Sequence, residues 1–331
     1  SEAGSASMVY HSRVHGALRL LVAEHVVQGR TIFPAAGYLE MAHAASLAAT
    51  RSTPAKLCGV FFLLPLALSE ASADAIVAIE LTPFESFEVS STSASGDAEV
   101  HSSGSLAPAG KQLMEGLSSF EQMRKICTDG VAKKEFYELL DKSGLNYGPA
   151  FRAVESVWTT SGCIPRVATL RSRKLRQGTN VHPADLDGAL QLSVANLAPD
   201  NTGTRLPFAV DDAHLLGHAG SLSASVEAQG QESNLVALTS GMCDVVTRLD
   251  GFKARELRAA AKREPWYTSD WLLSNPKASE APPKPLSLLL LSDDDQDALG
   301  SQRLGTSASQ TSLEDAIAPS SAIIFASALQ R

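Results

Sequence analysis

Two places in this chain hold residues suited by type to moving protons. One is His25, which opens the run His25 to Pro34; the other is Asp187, set four residues before Gln191. A neutral imidazole titrates near the pH of the cell, so His25 can accept a proton. Leu186, Ala189 and Leu190 flank Asp187, and burial among such side chains favours a carboxyl that keeps its proton and can donate it. Gln191 lies one helical turn beyond Asp187, where its amide can orient the carboxyl. Each residue also has a plainer reading. A histidine beside apolar residues often only packs, and an aspartate near a helix start often caps it. Asp185 suits that cap better, which leaves Asp187 free to point elsewhere.

Other constellations do not assemble. His11 with His15, and His214 with His218, have the i, i+4 spacing of metal ligands but no accompanying Glu or third ligand, so no metal is expected. There is no GxSxG elbow, P-loop or GxGxxG run. Cys58, Cys127, Cys163 and Cys243 form no CxxC pair, which suits a reducing, cytoplasmic setting. A net charge of −8 argues against nucleic acid as the main partner. The most apolar run, Val60 to Leu68, is broken by Pro65 and too short to span a bilayer, so no membrane is expected. The opening SEAGSASMVY lacks the charged-then-apolar pattern of a signal peptide.

These residues need elements to position them. An apolar share of 44% over 331 residues is enough for a large core. Ala35 to Ala49 is small, apolar and strongly helix-forming, the composition of a helix buried on most faces. Ala75 to Leu81, Phe84 to Ser91 and Asp97 to Leu106 read as antiparallel strands between Pro, Ser or Gly clusters. A linker-like stretch runs from Pro108 to about Thr128. The theme then repeats: a short amphipathic helix at Lys133 to Ser143 and strands at Ala153 to Thr159 and Cys163 to Leu170. A second apolar helix, Asp185 to Leu197, and strands at Ser223 to Ala228, Leu235 to Thr239 and Met242 to Leu249 complete it. One helix wrapped by a sheet, made twice, is an α+β arrangement.

Four blocks in order carry a family resemblance. His25-Val26-Val27-Gln28-Gly29-Arg30-Thr31-Ile32-Phe33-Pro34 resembles the HxxxGxxxxP signature of polyketide synthase dehydratase domains, with Ala35 to Ala42 as the helix that follows it. Asn146-Tyr147-Gly148-Pro149-Ala150-Phe151 is similar to the family's YGPxF element, His182 to Gln191 to its HPxxLDxxxQ element, and Arg205-Leu206-Pro207-Phe208 to its LPF strand entry. The resemblance covers residues 8 to 260 and implies a double hotdog. It places the catalytic pair, His25 as base and Asp187 as acid, on separate halves facing one substrate tunnel. It also implies substrate contacts from Tyr147, Gly148, Pro149 and Gln191. Gly29 and Pro34 are read as backbone-shaping residues, and Gly37 as the close approach by which the helix after Pro34 meets the thioester oxygen.

The implied reaction is loss of water from a (3R)-hydroxyacyl thioester on acyl carrier protein, giving a trans-α,β-enoyl thioester. No bound cofactor is implied, since the carrier's phosphopantetheine arm delivers the substrate. The implied partners are that carrier, adjacent synthase domains and a second copy in a homodimer. The alternatives are a related double-hotdog isomerase, against which the presence of Asp187 counts, an aromatic cyclase, which shares a His/Asp pair but whose helix the Pro34 to Ala42 stretch resembles less, and a non-catalytic scaffold or dimerisation module, against which intact His25 and Asp187 count. The basic run Arg166, Arg171, Arg173, Lys174 and Arg176 is read first as a solvated face and second as a carrier-docking site.

The chain departs from the family in two places. Glu24 stands where Asp usually precedes the signature histidine, and the N-terminal HPLLG stretch is missing or replaced by Ser7 to Val22, which leaves the first sheet's completeness open. The expected division is an N-terminal hotdog at 1–110, a linker and C-terminal hotdog at 111–260, and a tail at 261–331. In the tail, Pro265 to Trp271 resembles the opening of a structural ketoreductase-like subdomain, and Leu286 to Leu291 and Ala322 to Ala326 read as strands of a partial α/β unit.

Overall fold

The computed structural model describes residues 7–257 apart from 51–54, 69–74, 94–95, 97, 109–116, 162, 174, 196–202, 218–219 and 242–244. Lys174, His218, Cys243 and the whole expected tail lie outside the described residues. The first half runs β1 (Met8–Arg13), α1 (Ala17–Val22), β2 (Val26–Val27), β3 (Arg30–Thr31), α2 (Ala35–Thr50), β4 (Ala55–Phe62), β5 (Ile76–Leu81), β6 (Ser86–Thr92) and β7 (Ala98–Pro108). The second runs α3 (Phe120–Ile126), β8 (Asp129–Ala132), α4 (Lys133–Lys142), β9 (Val154–Thr160), β10 (Cys163–Leu170) and α5 (Pro183–Val194). It closes with β11 (Arg205–Leu215), β12 (Leu222–Ala228), β13 (Asn234–Ser240) and β14 (Val245–Glu256).

Among the described residues one antiparallel sheet of 12 strands runs β1-β5-β6-β7-β4-β11-β14-β13-β12-β10-β9-β8. Its first five strands belong to the half built on α2, and the remaining seven to the half built on α5. The two halves join where β4 pairs with β11, with Val60 opposite Val210 and Leu57 opposite Ala213. Strict alternation explains why the strands settle on their helices: Val77, Ile79 and Leu81 of β5, and Phe87 and Val89 of β6, all point into the core. The alanines of α2 and α5 keep both helix surfaces thin, so the sheet can close on them and α2 can touch α5. This is the double hotdog that the resemblance implies.

The structure adds elements that periodicity alone did not give. β1 pairs along its whole length with β5, so the first sheet has its early strand although the HPLLG stretch is absent. β4 begins at Ala55, ahead of the apolar run read from Val60, and ends inside that run at Phe62. The stretch assigned to a linker contains α3, held by a capping box in which Gln122 N–H donates to Ser119 Oγ at 3.1 Å and Ser119 N–H to Gln122 Oε1 at 2.9 Å.

The basic run does not form one solvated face. Arg166 is buried and donates from Nη1 to the carbonyls of Leu192 and Ala195, 2.6 Å each, closing the last turn of α5. Arg173 pairs with Asp185 at 2.9 Å. Arg171 and Arg176 are exposed. Asp185 therefore does not cap α5. His182 does, its Nδ1 accepting from Ala184 N–H at 3.1 Å, because Pro183 takes the first helical position and places the cap three residues before Asp185.

Candidate active site

His25 is held by its own hairpin. Its N–H donates to Val22 O at 3.0 Å, closing the end of α1. The two-residue β2–β3 turn then needs positive φ at both positions, which Gln28 (48°) and Gly29 (75°) adopt. That turn brings the carbonyl of Ile32 to 2.7 Å from His25 Nδ1. A carbonyl only accepts, so Nδ1 carries the hydrogen and the neutral ring presents a bare lone pair at Nε2. Pro34 then leads into α2, its carbonyl accepting from Gly37 N–H at 2.8 Å.

The loop before β9 docks onto this hairpin. Asn146 N–H donates to Val26 O and Gly148 N–H to Glu24 O, 2.8 Å each, and the Glu24 carboxylate accepts the Ala150 N–H. The rings of Tyr147 and Phe151 consequently stand edge-on to His25, with centroids at 5.4 and 5.3 Å. Glu24, noted above only as a conservative departure, is the residue that ties the two motifs together.

Asp187 projects from the second turn of α5 and is buried at 3% exposure, with Gln191 at 0%. Gln191 Nε2 reaches Asp187 Oδ2 at 2.8 Å and Phe151 O at 3.0 Å. The other carboxyl oxygen, Oδ1, lies 3.6 Å from His25 Nε2. Residues 162 positions apart in the chain thus face each other, each with its far atom engaged elsewhere.

Both open into a cavity of about 80 Å³ whose walls include Val27, Ile32, Phe33, Phe62, Leu190 and Val194. Tyr147 and Gln191 also line it, as does Tyr38 from α2. Burial pushes the Tyr147 hydroxyl well above its usual range, so it stays a neutral phenol.

Gly37, Gly148 and Pro149 are not among the lining residues. Gly37 does not present a free N–H. That group is taken by Pro34, and a Cβ at Gly37 would sit 2.6 Å from the Phe33 ring, so the glycine serves packing. Gly148 is pressed against Glu24, where a Cβ would meet Glu24 Cβ at 2.7 Å. Pro149 offers its carbonyl to Arg171 Nη2 at 3.2 Å. All three shape the backbone behind the site.

A double hotdog carrying a histidine on one half and a buried carboxyl on the other defines the class. Comparison with known proteins specifies it further. Residues 1–96 match the family described as polyketide synthase dehydratase domain, and residues 117–264 the one described as polyketide synthase dehydratase N-terminal domain. The chain belongs to the polyketide synthase dehydratases. It is similar to polyketide synthase PksN of Bacillus subtilis, with 26% identity over 281 residues, 78% of this chain and 5% of that protein. The chain thus spans a small part of that relative's length. Two solved forms of CurK dehydratase share the fold. An inactive His-to-Phe form has TM-score 0.66 and 19% identity, covering 79% of this chain and 96% of that one. An inactive Asp-to-Asn form has TM-score 0.66 and 18% identity, covering 78% and 96%.

Proposed function

We propose that this domain removes water from a (3R)-hydroxyacyl thioester carried on acyl carrier protein and yields the trans-α,β-enoyl thioester. His25 Nε2 takes the α-proton, the C–H electron pair becomes the new Cα=Cβ bond, and the Cβ–O bond breaks. Asp187 gives its proton to the departing hydroxyl, which leaves as water. His25 then carries the α-proton while Asp187 is one proton short, and transfer of that proton across the 3.6 Å between them resets the pair. The observation that carries this reading is the proton inventory. Ile32 O leaves His25 Nε2 free to accept, and Asp187 Oδ1 is the carboxyl oxygen turned toward it.

Two further points support it. The cavity walls are mostly apolar, which suits an acyl chain. In CurK dehydratase, one His-to-Phe and one Asp-to-Asn change each give an inactive protein. On this reading the substrate arrives on the carrier's phosphopantetheine arm, no other cofactor takes part, and the domain works in the cytoplasm as a homodimer beside other synthase domains. Incubation with a (3R)-3-hydroxyacyl pantetheine thioester should produce a species lighter by one water. Intact substrate after exhaustive incubation, alongside hydration of the matching enoyl thioester that is equally absent, contradicts the proposal.

A further inference from the structure

The orientation of the Gln191 amide is dictated from behind by Tyr137, a residue of α4 that does not line the cavity. Two backbone groups of fixed polarity settle which way the amide faces. Phe151 offers a carbonyl, which can only accept, so the Gln191 atom 3.0 Å from it must be the NH₂ nitrogen. Val154 offers an N–H, which can only donate, and it donates to Tyr137 Oη at 3.0 Å. The phenol's own hydrogen is then left for Gln191 Oε1, 3.3 Å away. Burial pushes the Tyr137 pKa upward, which keeps that hydrogen in place.

The chain of donors ends at the acid. Gln191 Nε2–H donates to Asp187 Oδ2 at 2.8 Å, so Oδ2 is occupied as an acceptor. When Asp187 is protonated, its hydrogen therefore belongs on Oδ1, the oxygen 3.6 Å from His25 Nε2. Were the amide reversed, Oε1 would face Oδ2 and draw the acid's hydrogen to the side away from His25, while the NH₂ group faced a phenol already holding one donor. We infer that Tyr137 is a positioning residue for dehydration: the relay Val154 N–H, Tyr137, Gln191, Asp187 keeps the transferable proton on the cavity-facing oxygen. This deepens the reading of Asp187 as acid and rests on it.

The test uses the full chain, a (3R)-3-hydroxyacyl pantetheine thioester, and the variants Tyr137→Phe, Gln191→Ala and their combination. Phenylalanine keeps the ring and removes only the hydroxyl. Tyr137→Phe is expected to lower kcat about tenfold with KM within about twofold, the pattern of a contact that matters in the transition state. Added to Gln191→Ala it should cost nothing more, because Tyr137 acts only through that amide. Losses that multiply in the double variant, or a Tyr137→Phe kcat equal to wild type, overturn the relay while leaving the acid assignment standing. A wild type that releases no water overturns both together. Should Tyr137→Phe fold poorly, a fluorotyrosine placed at 137 alone keeps the shape and strengthens the donor. Its kcat–pH profile should be displaced from that of wild type, and a superimposable profile counts against the relay.

Discussion

His25 Nε2 and Asp187 Oδ1 face each other at 3.6 Å, each turned inward by a hydrogen bond on its opposite atom. At that separation, beyond hydrogen-bonding distance, the two atoms are not bonded to each other, and both residues line the same cavity. His25→Ala removes the base and is expected to abolish water loss. Asp187→Asn retains the shape and the bond from Gln191 but has no acidic proton, and should lower turnover by about a hundredfold or more. Circular dichroism should show both variants folded. Near wild-type turnover in both would mean the roles lie with other residues.

Gly148 lies against Glu24 so closely that an added Cβ would stand 2.7 Å from Glu24 Cβ and 2.8 Å from its Cγ. The stem of Glu24 cannot retreat without releasing the Ala150 N–H that its carboxylate holds. Gly148→Ala should therefore cost about 1–3 kcal/mol, as overpacking does. It should also displace Tyr147, lowering kcat/KM by more than the unfolded fraction accounts for. Urea denaturation beside steady-state kinetics on the same preparation gives the comparison. An alanine variant as stable and as active as wild type would show the contact to be slack.

Glu40 of α2 spans the two halves: its carboxylate accepts from Asn180 N–H at 2.5 Å and Val181 N–H at 2.9 Å, just ahead of the helix that carries Asp187. Burial, only partly offset by those two bonds and by Arg176, raises its pKa to about 7 from an ordinary 4.5. The folded state thus holds this proton more tightly than the unfolded chain. Its contribution to stability is complete below about pH 4.5 and is lost as pH rises through 7. Glu40→Gln cannot ionise and escapes that loss. Between pH 5 and 8 the stability difference should move in favour of the variant by about 2–3 kcal/mol at most. Parallel urea titrations at the two pH values measure it, and a difference that does not change with pH would refute the assignment.

The alanine-rich helices and alternating strands were legible because their patterns are local, and so was the pairing of Asp187 with Gln191, one helical turn apart. The meeting of His25 with Asp187 was not available from spacing and came only with the ordered motifs. What escaped notice depended on tertiary contact. Tyr137 reads as one more apolar position of an amphipathic helix, and nothing near it in sequence marks it as the partner of Gln191. Gly37 looked like a backbone donor because its neighbours open a helix, but Pro34 and Phe33 use up the space and the N–H. α3 could have been found: Ser119 and Gln122 are a capping box written three residues apart, masked by the polar stretch before them.

Arg166 shows how a run of like charges can mislead, and it supports a last prediction. Five basic residues within eleven positions look like one solvated face, yet β10 turns Arg166 inward beneath α5. There its Nη1 satisfies the carbonyls of Leu192 and Ala195, which end the helix and have no i+4 partner within it. Burial lowers the guanidinium to about 10, so it is still charged at neutral pH and its two bonds are charge-assisted. Arg166→Met fills similar space but leaves both carbonyls without that donor, and should cost about 2–3 kcal/mol. Arg176→Met, on the exposed part of the same run, should stay within about 0.5 kcal/mol of wild type. Because Arg166 closes the helix that bears Asp187 and Gln191, its loss should also broaden the amide signal of Gln191 in an NMR spectrum of the folded fraction. Equal urea midpoints for the two variants would return Arg166 to the solvated face.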